Sequence, residues 1–112
     1  MIKSDLMRVG GSRLNPMLIS DSLYRVKLYD EIRQAEGSSF VEYEVSMSET
    51  LLPEIIAVRS WNDETLGWVV MIAAGIDDPR REIEAGITIK LPNITWLRDK
   101  IRYYQKLSNM SV

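Results

Sequence analysis

The side chains that most often do chemistry are missing from this chain. It contains no histidine and no cysteine. The commonest general base and metal ligand near neutral pH is therefore absent. So are thiol nucleophiles, zinc thiolate sites and disulfides. Carboxylates and aromatic rings remain. Asp77, Asp78 and Glu82 cluster at a turn. A calcium loop needs more oxygen ligands at fixed spacing, and that spacing is not present. Arg80 and Arg81 stand among these acids. A polar turn held by Asp-to-backbone hydrogen bonds is the stronger reading. Glu42 with Glu44, and Asp63 with Glu64, are further acid pairs. The first lies on an exposed strand face. The second lies at a helix start, where the macrodipole favours acids anyway. Neither has a polar catalytic partner, so glycosidase-type chemistry is not expected. Trp61, Trp68 and Trp96 could stack on a sugar ring. Trp61 and Trp68 fall in or between apolar helical runs, where large aromatics usually pack in the core. Trp96 opens the last helix and is expected to dock it on the core.

The elements that carry these residues follow from periodicity. Phe40 to Met47 is apolar at alternate positions, which predicts a strand. Two short apolar helical runs follow, Leu51 to Trp61 and Glu64 to Ala74. Thr50 or Ser48 is the candidate N-cap of the first, and Pro53 is tolerable because it falls in the first turn. Asn62 or Asp63 caps the second, which is apolar almost all round and should be deeply buried. Gly75 sits where a left-handed C-cap is needed, and Pro79 prevents continuation. Ile87 to Pro92 is a second strand. Asn93 or Thr95 opens a final helix whose Ile94, Leu97, Ile101, Tyr104 and Leu107 form one amphipathic stripe.

The region before Phe40 is harder to read. Leu23 to Ile32 suits a strand or a short helix. Tyr24, Val26 and Leu28 alternate with Arg25, Lys27 and Tyr29, which favours the strand. A turn over Gln34 to Ser39 would then close a β-hairpin with Phe40 to Met47. Met1 to Ser22 carries the loop markers Gly10-Gly11 and Asn15-Pro16. It also carries Met7, Val9, Leu14, Met17, Leu18 and Ile19. Such apolar content suits an extended arm that orders on a neighbour, with a flexible terminus as the alternative.

At 112 residues the chain is expected to be one domain with arms. A core of about fifty residues buries only ~60% of its chain surface, so flanking segments or partners should add stability. Hydrophobic residues make up 46% and charged residues 27%, ordinary for a globular protein. Net charge is -2 with Lys and Arg dispersed, so a nucleic-acid partner is not expected. Met1 to Met17 has no continuous apolar stretch, and no signal peptide is expected. The run Trp68 to Ala74 is too short to span a bilayer, and no membrane partner is expected.

The strand–helix–helix–strand order from Phe40 to Pro92 resembles a LysM domain. The resemblance is carried by Ser48-Glu49-Thr50-Leu51 before the first helix, Ala73 to Pro79 after the second, and Glu84 to Pro92 at the end. Typical members have Gly-Asp-Thr-Leu in the first place, and an Asn at the helix exit where this chain has Ala74. A narrower resemblance is to the small LysM-like proteins of phage tail baseplates, including wedge components of contractile tails. It rests on Leu66-Gly67-Trp68-Val69-Val70 and on a Tyr-rich upstream hairpin, Tyr24 to Val45. These resemblances imply an α+β fold: a LysM-like βααβ core with an added N-terminal β-hairpin or arm and a C-terminal helix. The implied division is an arm over 1–22, core with hairpin over 23–92, and helix and tail over 93–112.

The implied function is a structural, non-catalytic subunit linking tail tube or hub to surrounding wedge proteins. No cofactor or metal is implied. It would reside in the virion tail after assembly in the host cytoplasm. Its partner contacts would fall on Met7, Val9, Leu14, Met17, Leu18, Ile19, Trp96, Tyr103 and Tyr104, since interface cores favour Met and aromatics. The alternative is a peptidoglycan- or N-acetylglucosamine-binding module. Its groove would be Ser48, Glu49, Thr50, Leu51, Ala74, Gly75, Ile76 and Asp77.

Overall fold

The computed structural model describes residues 14–50, 52–76 and 83–110. It is an α+β fold of four α-helices and a two-stranded antiparallel sheet among the described residues. In chain order these are α1 (Ser22–Gln34), β1 (Phe40–Glu44), α2 (Pro53–Trp61), α3 (Gly67–Ala73), β2 (Thr88–Pro92) and α4 (Ile94–Met110). Short 3₁₀ turns at Pro16–Leu18, Met47–Glu49 and Glu64–Leu66 precede α1, α2 and α3.

The expected hairpin over Tyr24 to Val45 is not formed. Ser22–Gln34 is helical, and β1 pairs with β2 instead, Val41 opposite Leu91 and Tyr43 opposite Ile89. The reason lies in spacing. Tyr24 and Leu28 are two steps apart in the alternating pattern, but they are also one helical turn apart. Ile32 continues the helical series, and Leu28 and Ile32 are both fully buried. The alternation strands Val26 on the exposed side with Leu23. Asp21 fixes the start, its side chain accepting the Leu23 N–H at 2.9 Å. Ala35, in the left-handed region at φ 51°, ends the helix.

Other boundaries match their chemistry. Pro53 stands in the first turn of α2, where its missing donor costs nothing. Thr50 and Ser48 do not cap this helix; the Thr50 hydroxyl turns back to the Met47 carbonyl. Asn62 closes α2 in the left-handed region. Asp63 accepts the Thr65 N–H at 3.0 Å and starts the turn that runs into α3. Gly75 follows α3 at φ +73°, the left-handed position expected of it. Asn93 caps α4 by accepting the Trp96 N–H at 2.8 Å.

The core joins all these elements. Leu28 and Ile32 of α1, Ile56 of α2, Val69 and Val70 of α3 and Leu97 of α4 are each 0% exposed. Helix α1 packs against both α3 and α4, and α3 also packs under β2. Ile19, ahead of α1, is equally buried. The part of the expected arm that is described is therefore anchored in the chain's own core. Burying one such side chain contributes ~1.5–3 kcal/mol.

Candidate functional site

Glu49 is the most deeply placed charge among the described residues, 1% exposed. The 3₁₀ turn Met47–Glu49 folds it inward beneath β1. Its Oε1 accepts the Ser46 N–H at 2.8 Å, and its Oε2 accepts the Tyr43 hydroxyl and Arg59 Nη1, the latter at 2.7 Å. Strand, turn and α2 are thus tied at one carboxylate. Burial alone would raise its pKa. The bonds from Tyr43, the Ser46 backbone and Arg59 outweigh that and hold it at about 2. Tyr43 is correspondingly raised, first by burial and then by the neighbouring carboxylate. Glu49 is therefore ionised and Tyr43 protonated across the neutral range. Neither is poised to exchange protons there.

Glu49 is expected in a glycan groove, but the structure places it inside the fold with its oxygens occupied. Its neighbours in the expected groove are dispersed in role. Ser48 is exposed and bonds Ser46, and the Thr50 carbonyl accepts the Ile83 N–H at 2.8 Å. Ala74 and Ile76 pack against the core, and Gly75 is exposed. Leu51 and Asp77 lie outside the described residues. None of the described ones lines the cleft of about 670 Å³ that opens between α2 and the sheet.

A second carboxylate cluster lies on the seam of α1 and α4. Glu31 accepts the Tyr104 hydroxyl and pairs with Lys100 Nζ at 2.7 Å. Tyr24 stacks on Tyr104 at 5.9 Å between ring centres. Lys100 also lies over the rings of Trp96 and Tyr103, 5.8 and 6.0 Å from their centres. Burial, then Glu31, raises the Tyr104 pKa. Further along the seam, the buried Ser108 hydroxyl accepts the Asp21 N–H and bonds Ser20, each at 2.7 Å. The start of α1 is thereby fastened to the end of α4.

The expected partner-contact residues divide. Leu14, Ile19 and Tyr104 are buried and belong to the core, so they present little surface to a neighbour. The amphipathic stripe of α4 already placed Tyr104 on its inner side. Trp96 is half-buried, its ring edge-on to Phe40 at 4.8 Å. Met17 is 67% exposed and Tyr103 54%, with Leu18 also exposed. Met7 and Val9 lie outside the described residues. What remains outward is a ridge on α4, Trp96, Lys100 and Tyr103, together with Met17 and Leu18 on the turn before α1. This combination of rings, a cation and methionine suits protein contact.

Among the described residues no three acids sit close enough to hold a metal ion, and no helix is long and apolar enough to cross a membrane. The clusters around Glu49 and Glu31 were not foreseen. The one local signal was Ser46-x-x-Glu49, a capping-box spacing that folds the Glu back onto its own turn. No family model matches the chain, and neither a curated protein nor a solved structure matches it.

Proposed function

We propose that this chain is a non-catalytic structural subunit of a phage or phage-like tail baseplate, built on a LysM-like core. The observation that carries the reading is the pairing of β1 with β2. Two strands separated by two helices pair antiparallel, in the order that the LysM resemblance implies. Helices α1 and α4 are additions to that module and are clamped together by their own seam. They bring Tyr103, Lys100 and Trp96 onto one exposed ridge. Binding through such a ridge needs no reaction, and the carboxylate clusters at Glu49 and Glu31 serve to hold shape. The glycan-groove alternative loses support, since Glu49 is consumed inside the fold.

The test sets two associations against each other. Tagged full-length protein, expressed in its native context, is applied to washed peptidoglycan and followed through purification of tail particles. Co-purification with tail particles and no retention on peptidoglycan is the expected result. Retention on peptidoglycan that chitooligosaccharide competes away, with none in tail particles, would overturn the proposal in favour of a glycan-binding module.

A further inference from the structure

Strands β1 and β2 each have one neighbour, so each has one edge without a backbone partner among the described residues. The two edges differ. The Asn93 N–H donates to the Ser39 carbonyl at 2.8 Å, and the Val45 N–H donates to the Ile87 carbonyl at 3.0 Å. With Val41 opposite Leu91 and Tyr43 opposite Ile89, these bonds place the hydrogen-bonded pairs at Val41 and Tyr43. The backbone groups of Glu42 and Glu44 therefore point away from β2. On β2 the same alternation turns Thr88, Lys90 and Pro92 outward. Pro92 has no N–H to offer, and its carbonyl is taken by Trp61 Nε1 at 2.9 Å. The edge of β2 is blunted at that end. The edge of β1 has no proline, and an unblunted edge is a template for another strand.

The space under β1 points the same way. Val41 shares the inner face of the sheet with Tyr43, Ile89 and Leu91. Ile89 and Leu91 are buried, but Val41 is 64% exposed. Helix α3 packs under β2, and the 670 Å³ cleft opens beside Val41, walled by Val58, Trp61, Leu91 and Ile94. An inward-facing apolar position is left without a cover. On the outer face, Lys90 stands opposite Glu42, but only Thr88 stands opposite Glu44. Among the described residues, the outer side of β1 therefore keeps negative charge with no cation opposite Glu44.

We propose that β1 and the cleft beneath it receive an extended segment of a partner protein. The segment adds a strand beside β1, its backbone bonding Glu42 and Glu44. An apolar side chain drops into the cleft beside Val41. Lys or Arg on its opposite face meets Glu44. Backbone pairing supplies affinity, and the alternating side chains supply selectivity. The inference rests on the edge and the cleft, and it does not depend on which assembly the chain joins.

The test uses the isotope-labelled full-length chain and three synthetic heptapeptides. The first alternates Lys with Val or Leu. The second has the same sequence N-methylated at alternate residues, which blocks edge pairing. The third carries Glu in place of Lys. The first peptide should slow exchange of the Glu42 and Glu44 amide protons at least tenfold and shift the Val41 methyl resonances. The N-methylated peptide should do neither, and the acidic peptide should bind at least tenfold more weakly. Exposed Glu44→Lys, whose amide spectrum reports that it is folded, should reverse the preference between basic and acidic peptides. No slowing at Glu42 and Glu44 with about 1 mM basic peptide, where even a millimolar complex would be half formed, overturns the proposal. So does equal binding of the N-methylated peptide.

Discussion

Glu49 and Glu31 each accept a tyrosine hydroxyl and each pair with a cation at 2.7 Å. By distance the two clusters are alike, but their surroundings are not. The Glu49 side chain is 1% exposed, and that of Glu31 is 28% exposed. Water competes for the Glu31 oxygens and screens its ion pair, whereas Glu49 depends on its protein partners alone. The first cluster therefore holds the turn, strand and α2 together. The second orients a seam whose stability comes from apolar packing of α1 on α4. Distance alone does not rank ion pairs; burial does.

The largest effect should come from Glu49→Ala. Its pKa falls from 4.5 to about 2, a shift equivalent to roughly 3 kcal/mol of stabilisation. The substitution should lower the unfolding free energy by about that much, read as a drop in the urea midpoint at unchanged slope. A loss no greater than that of Lys100→Ala would erase the contrast between the two clusters.

The same contrast has a pH signature. Glu49 contributes its full stabilisation above its ordinary pKa of 4.5 and loses it as pH falls toward about 2. Wild-type stability should fall through that window, and Glu49→Gln should fall less steeply. Parallel profiles for the two proteins would show that the depressed carboxyl is elsewhere.

Tyr43→Phe and Tyr104→Phe each remove one hydroxyl from a carboxylate. Each should cost about 1 kcal/mol, with Tyr43→Phe the larger because Glu49 has no water to turn to. Lys100→Ala should be the mildest, at most ~0.5 kcal/mol and fading with added salt. An unfolding series at two salt concentrations checks all three. A salt-independent loss at Lys100 would mean that its stacking on Trp96 and Tyr103 outweighs its pairing with Glu31.

Much of the fold was legible. Helices α2 and α3, strand β2 and the caps at Asp63, Gly75 and Asn93 follow from periodicity and turn chemistry, because those signals are local. Helix α1 was not legible as a helix. Its short alternation of Tyr24, Val26 and Leu28 mimics a strand, and packing of Leu28 and Ile32 against α3 and α4 decides the matter. The Glu49 cluster was illegible for another reason. Tyr43 and Arg59 reach it only after the turn at Ser46–Glu49 reverses the chain, so no single window contains their geometry. Of the expected contact residues, those with helical or turn positions facing outward, Met17, Leu18 and Tyr103, remain on the surface. Leu14, Ile19 and Tyr104 were drawn inward because apolar area is scarce in so small a core.

On the proposed reading, this chain works by assembly through its exposed ridge. The most direct measurement is the amount of chain incorporated into purified tail particles, compared between wild type and Met17→Ser/Tyr103→Ser. Both side chains are exposed, so the variant should unfold within about 0.5 kcal/mol of wild type. Wild-type protein should appear in the particles, with at least a tenfold depletion of the folded variant. Equal incorporation of the two proteins, or absence of the wild type from tail particles, would contradict that reading.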